Sequence, residues 1–169
     1  MQKITPFLWF DKNAEEAMNF YVETFNNAPY KSTESKIVTI KRYPKDMQAG
    51  PVPNMGGKVL TGVFSLAGQE YMCLDGGPMF KFSEAVSLLV LCEDQNGIDY
   101  FWDKLSADQN GGQCGWTKDR FGLSWQIVPK NMDKWLASGE SEKSGRAMGA
   151  MMKMKKINIA ELQTAFEGK

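Results

Sequence analysis

Residues 86–105, VSLLVLCEDQNGIDYFWDKL, repeat the pattern of residues 4–25, and this duplication restricts the folds open to the chain more than any other feature. The first copy opens with ITPFLWF, an apolar and aromatic run of strand type. KNAEEAMNFYVETF follows, with Ala14, Ala17, Met18, Tyr21 and Phe25 at helical spacing. Asn13 with Glu16 three residues later is a capping-box pair, which predicts the helix start. In the second copy a strand-like run, an acidic turn and a short amphipathic helix recur, with Ile98, Phe101, Trp102 and Leu105 at i, i+3, i+4 and i+7. At a constant offset of 81 residues Phe7 aligns with Leu88, Phe10 with Leu91, Ala17 with Ile98, Phe20 with Phe101 and Tyr21 with Trp102.

The back halves agree. KVLTGVFSLAGQEYMCL, residues 58–74, predicts two strands about a turn at Ala67-Gly68, and WTKDRFGLSWQIV, residues 116–128, two about Arg120-Phe121-Gly122. At an offset of 54, Gly68 aligns with Gly122, Tyr71 with Trp125, Met72 with Gln126 and Leu74 with Val128. Each half therefore reads as strand, helix, then two or three strands. One such module leaves an apolar sheet face that must be covered, and two side by side can curve into a half-open trough with the helices outside and a ligand-sized cavity within. The expected class is α+β, as two tandem β-α-β-β-β modules in one compact domain: residues 1–80, residues 81–130, and a helical extension over 131–169. Within the first module KRYPKDMQAGPVPNMGG, residues 41–57, is rich in Pro, Gly and Asn and reads as a long mobile loop, a flap over the trough. From Ser141 onward the pattern is helical: Ala147, Met148, Met151 and Met152 form an apolar stripe suited to packing or a subunit interface, and Asn158 with Glu161 caps a last helix, IAELQTAF.

Composition removes whole classes of function. Twenty basic and twenty acidic residues cancel, so no dominant field draws the chain to nucleic acid or an anionic membrane. Lys153, Lys155 and Lys156 read as a solvated helix face. Cys73, Cys92 and Cys114 are odd in number and contain no C-x-x-C pair, which points to reduced cytosol rather than a disulfide framework or zinc cluster. No run approaches the ~20 apolar residues of a membrane span, and the N-terminus lacks signal-peptide character. The chain has no histidine, which eliminates Ser-His-Asp, Cys-His and H-E-x-x-H mechanisms together. Any catalysis must then use carboxylate, lysine, cysteine or tyrosine.

The segments FLWFDKNAEEAMNFYVETF, GKVLTGVFSLAGQEYMCLDGGP and GGQCGWTKDRFGLSWQIVP, with the tail MMKMKKINIAEL, resemble the PhnB-like branch of the vicinal oxygen chelate superfamily, the glyoxalase, bleomycin-resistance and extradiol dioxygenase group. The resemblance covers almost the whole chain and implies a cytoplasmic homodimer whose trough has eight strands. In metal-dependent members the ion is held by side chains from the first and last strand of each module, typically His, Gln or Glu. Carried over, those places fall on Thr5, Met72, Ser87 and Gln126. Neutral hydroxyl, thioether and amide donors suit a Zn, Ni, Mn or Fe ion poorly. Slipping the register offers Glu70 or Cys73, with Glu84 three residues before Ser87, but adjacent strand residues face opposite sides. The expectation is therefore no tightly bound metal and no cofactor.

Gln126 reads equally as an amide that orients a ligand and as a satisfied core amide, and its face also carries Ser124 and Val128. Thr5, Phe7 and Trp9 alternate onto one face, as an aromatic wall for a flat ligand or as plain core. Glu70 is a candidate general base or a solvent-facing hairpin carboxylate. GGQCG, residues 111–115, lacks the Lys-Ser/Thr of a phosphate loop and reads as a flexible connection, and Cys114 in it has only Lys118 as a candidate cation partner. The expected function is binding of a small organic molecule in the trough, lined by Thr5, Phe7, Trp9, Met72, Ser87, Ser124 and Gln126, with no catalytic residue assigned. Three alternatives stand beside it: a metal-dependent lyase, isomerase or dioxygenase with substituted ligands; a methyltransferase acting on demethylubiquinone, as relatives are labelled; and a dimeric scaffold with a plugged trough. An adenosyl-cofactor site would need a glycine-rich strand-to-helix turn and a following acidic residue, which this sequence lacks.

Overall fold

A computed structural model describes residues 4–30, 32–47 and 54–169. The chain divides into two compact units, residues 1–82 and 83–169. In the first, strand β1 (Phe7–Phe10) leads into helix α1 (Ala14–Asn26), then β2 (Lys36–Arg42), β3 (Val59–Leu66) and β4 (Gln69–Asp75), in a sheet of order β1-β4-β3-β2. The second holds β5 (Ser87–Cys92), α2 (Gln95–Leu105), β6 (Trp116–Lys118) and β7 (Ser124–Pro129), in the order β5-β7-β6, followed by α3 (Asp133–Leu136), α4 (Ser141–Met151) and α5 (Ile159–Glu167). The class is mixed α+β, with sheets of four and three strands. The described residues thus hold seven strands where the resemblance implies eight, because the second unit follows its helix with two strands rather than three.

Each unit is closed by parallel pairing of its first and last strand, with the helix as crossover. Phe7 pairs with Met72 and Phe10 with Asp75, while Leu89 pairs with Gln126 and Cys92 with Pro129. This register corrects the sequence alignment of the strands by one residue: Phe7 corresponds to Leu89, not Leu88, and Phe10 to Cys92, not Leu91. The offset of 81 holds in the helices, where Ala17 and Tyr21 correspond to Ile98 and Trp102, all four buried. The difference has a local cause. The strand-to-helix turn has three residues in the first unit, 11–13, and two in the second, 93 and 94. A one-residue slip moves every side chain to the other face, and burial follows the corrected register: Leu8 and Phe10 are buried like Val90 and Cys92, while Phe7 is 50% exposed and Leu89 54%.

On the helix side of the first sheet Phe64 stacks between Tyr21 of α1, at 6.3 Å, and Tyr71 of β4, at 5.4 Å. The β3–β4 hairpin turns through Ala67 and Gly68, with φ of 48° and 89°, the two positive values of a type I′ turn. Ser35 Oγ accepts from Ala67 N at 3.0 Å and so anchors a non-glycine residue in the left-handed region. Lys41 and Arg42 are the end of β2 rather than the start of a loop, and the hairpin continues through Tyr43 N to Lys58 O at 3.0 Å and Gly57 N to Tyr43 O at 3.2 Å. The centre of the expected flap, residues 48–53, lies outside the described residues.

Helix α1 starts at Ala14 as expected, but the Asn13 side chain makes no capping hydrogen bond. One orphan donor at this end is met from the neighbouring strand instead: buried Asp75, at the end of β4, accepts from Ala14 N through Oδ1 and from Val59 N at the start of β3 through Oδ2, both at 2.8 Å. Burial pushes the Asp75 carboxyl above its ordinary range, against the opposing pull of these two N–H groups. In the second unit Asp94 caps α2 directly, accepting from Asn96 N and Gly97 N. Asn158 caps α5 as expected, accepting from Glu161 N at 3.2 Å.

The C-terminal extension packs within the second unit. Ile157, Leu162 and Trp135 are buried, and Gln95 of α2 clamps the chain by donating to Ile157 O and accepting from Ile159 N. Of the methionine stripe only Ala147 is buried, while Met148 and Met152 are 41% and 53% exposed. No helix among the described residues is long and apolar enough to cross a membrane.

The Asp75 staple is testable. Asp75→Asn turns an amide N–H toward a backbone N–H and should cost about 1–3 kcal/mol, the penalty of leaving a buried donor unmet. Thermal and urea melts read it, and a variant as stable as the wild type would show that the staple carries no weight.

Candidate functional site

The β5-β7-β6 register sets two rows of side chains across the face turned away from α2. One row runs Ser87, Ser124, Lys118 and the next Leu89, Gln126, Trp116. The opposite face carries Thr117, Trp125 and Ile127, all buried, and Thr117 Oγ1 lies 2.7 Å from Oγ of Ser106 at the end of α2. The turn between β6 and β7 is organised by buried Asp119, whose Oδ1 accepts from Phe121 N and Leu123 N and whose Oδ2 accepts from Trp125 Nε1. That bond fixes Trp125 on the helix side and leaves Ser124 and Gln126 on the other.

Next to these rows lies a cleft of about 350 Å3, lined by Glu84, Ala107, Asp108, Gly111, Gly112, Trp116, Thr117, Lys118 and Ser124. Ser124 is 1% exposed, and its hydroxyl has no hydrogen-bond partner. An unmet buried hydroxyl costs about 1–3 kcal/mol, so its presence on a cleft wall calls for a cause. Lys118 forms an ion pair with Glu84, which holds the Glu84 carboxyl below its ordinary range. Asp108 Oδ1 accepts from Asn110 N at 2.9 Å.

The floor of the cleft corrects the reading of GGQCG as a flexible connection. Gln113 and Trp116 exchange backbone hydrogen bonds, while Cys114 N donates to Met154 O and Gly115 N to Lys155 O, each at 2.8 Å. A Cβ on Gly112 would lie 2.0 Å from Trp116 O, so only glycine fits that approach. Cys114 sits at φ 55°, its Sγ 3.8 Å from Met152 Sδ, and Lys118 is engaged with Glu84.

The seven candidate residues separate by unit. In the second, Gln126 Nε2 donates to Ser87 Oγ at 2.8 Å, so the unusual amide is partnered by the serine of the neighbouring strand. Ser124 is the one candidate that lines the cleft. In the first, Phe7 and Met72 are register partners on the face away from α1, and Thr5 precedes the strand. Trp9 is pinned: its Nε1 donates to Gly77 O at 2.9 Å and its ring meets Phe80 edge-on, over Gly76, where a Cβ would lie 2.2 Å from the indole. Trp116, Lys118, Asp108 and the floor glycines were not singled out from sequence as ligand contacts. Alternation along Trp116-Thr117-Lys118 opposite Ser124 and Gln126 is the signal that identifies the first two.

The donor set does not fit a divalent metal. Ser87 Oγ and the Gln126 amide are engaged with each other, and no three of His, Cys, Asp or Glu come together among the described residues. Cys73 faces the helix side, where burial pushes its thiol up to about 12. An adenosyl cofactor finds no better fit: neither strand-to-helix turn contains glycine, and the helix ends that would receive an anionic group already hold the Asp75 and Asp94 carboxylates.

Two modules, each with its first and last strands paired in parallel through a crossover helix, define the fold class of the vicinal oxygen chelate proteins. The chain belongs to the PhnB-like family that carries the name 3-demethylubiquinone-9 3-methyltransferase, whose profile matches residues 2–128. A Bacillus cereus PhnB protein named for the same methyltransferase is 37% identical, with a TM-score of 0.60 over 75% of this chain and 99% of its own. A Pseudomonas aeruginosa structure, 17% identical, shares the fold at a TM-score of 0.53 over 76% of this chain and 97% of its own. No curated protein matches.

The family match ends at residue 128, so α3, α4 and α5 lie outside it. The segment between α4 and α5 nevertheless supplies, at Met154 and Lys155, the carbonyls that hold Cys114 and Gly115. A chain ended after Lys130 should therefore lose amide-exchange protection throughout the second unit, whereas a truncated chain with wild-type protection would show the extension to be dispensable.

Proposed function

We propose that this protein binds a small organic molecule in the cleft beside β6 and β7, without a tightly bound metal, and that binding rather than an assigned reaction is the function the residues support. The observation that carries the reading is the Ser124 hydroxyl, buried and unpartnered on the wall of an apolar cleft. A ligand that bonds it removes the penalty, which is how a site selects a polar group inside an otherwise apolar pocket. Trp116 offers an aromatic surface, and the glycine floor admits a flat body.

Ser124→Ala separates this role from a structural one. Removing the unmet hydroxyl should stabilise the ligand-free protein by about 1 kcal/mol, or about 2–4 °C in melting temperature for a chain of this size. It should weaken cleft ligands by roughly 3–10-fold, the worth of one neutral hydrogen bond. Ligand-detected NMR with aryl acids and their amides reads the second effect. The reading fails if neither class binds the wild type, or if both bind the variant equally well.

The donor set also predicts metal analysis. Protein purified without added metal should carry far less than one equivalent of divalent ion, and added Zn, Ni or Mn should leave the melting temperature unchanged. A stoichiometric ion would restore the metal-dependent lyase, isomerase or dioxygenase reading.

A further inference from the structure

We infer that the cleft selects a carboxylate-bearing ligand, with Glu84 as the chain's own occupant of the carboxylate position; this rests on the small-molecule reading above and specifies its ligand class. Lys118 and Ser124 are direct neighbours on adjacent antiparallel strands, on the same face, and both line the cleft. Side chains so placed have Cβ atoms about 4.5–5.5 Å apart, close enough for the flexible Lys118 side chain to bring its ammonium beside the Ser124 hydroxyl. One supplies an ammonium, the other a hydroxyl with nothing to donate to.

That the ammonium receives a carboxylate here is already visible. Glu84, in the turn before β5, sits on Lys118 Nζ, and the two side chains are 66% and 47% exposed. Exposed ion pairs of this kind contribute little to folding, so the pair can open at small cost. The incoming carboxylate gains what Glu84 lacks, since the Ser124 hydroxyl remains unpartnered while Glu84 occupies Lys118.

The remaining charge sets the ligand's orientation. The cleft is lined by two carboxylates, Glu84 and Asp108, and one cation, Lys118. Asp108 repels an anion at its own end, so the acid group lies at Lys118 and the body runs over Trp116 and the floor of Gly111 and Gly112. A hydrogen-bond donor at the far end of the ligand meets Asp108.

Titration calorimetry with phenylacetate and indole-3-acetate against their primary amides tests this. The acids should bind the wild type about 10-fold more tightly than the amides, as expected when a hydrogen bond gains a charged partner. Glu84→Gln removes the internal competitor and should tighten the acids about 3-fold while leaving the amides unchanged, in line with the small worth of an exposed pair. Lys118→Met, at an exposed position, should keep the fold by circular dichroism and abolish the preference for acid over amide. Equal binding of acids and amides to the wild type, or no gain by Glu84→Gln, overturns the carboxylate proposal and leaves the small-molecule reading standing. Failure of both acids and amides to bind overturns the two together.

Discussion

The parallel pairing of the first and last strand in each unit is the constraint from which the rest follows. Parallel neighbours cannot be joined by a hairpin, so the chain must cross over, and the crossover helix then covers one face of the sheet. Pairing Leu89 with Gln126 and Ser87 with Ser124 decides which residues turn away from that helix. The short antiparallel strand β6 adds Trp116 and Lys118 to the same face. The cleft is thus a product of register: moved by one residue, Thr117 and Trp125 would stand where Lys118 and Ser124 now stand.

Both units also face the problem of unmet N–H groups at the start of the crossover helix, and they solve it differently. Residues 13 and 94 occupy equivalent places, but Asp94 caps its helix and Asn13 does not. In the first unit the last residue of β4, Asp75, reaches both the helix start and the start of β3. The equivalent residue ending β7 is Pro129, which offers no such group. One carboxylate per unit is sufficient, and its source moved from the helix end in one copy to the sheet in the other.

How far the sequence revealed this depended on whether the determining partner was local. The helix faces were legible because Ile98, Phe101, Trp102 and Leu105 are buried by their spacing alone. The strand offset was missed by one because an extra residue between Phe10 and Ala14, relative to the second copy, leaves both patterns intact on either side. GGQCG looked loose because the carbonyls that hold it belong to Met154 and Lys155, some forty residues on. Gln126 and Ser87 were each identified, but their bond to one another depends on strand pairing that no local pattern shows. Ser124 was named for its face, and only its burial made it the residue of interest.

The duplication explains why the site belongs to one unit. In the second unit the polar row reads Ser87, Ser124, Lys118, a hydroxyl and an ammonium side by side. In the first, β3–β4 pairing puts Ser65 beside Glu70, and Glu70 holds the place that Ser124 holds in the copy. A carboxylate at that position repels an acid, and the lysine of this row, Lys36, pairs with Ser65 and stands one strand further from it. The adjoining row differs in the same sense, with Phe7, Met72 and Val63 in the first unit and Leu89, Gln126 and Trp116 in the second. Two copies of one fold therefore present different charge at equivalent places, a carboxylate in the first against a hydroxyl beside an ammonium in the second, and in the proposed carboxylate site the fold supplies the geometry while residues 118 and 124 supply the selectivity.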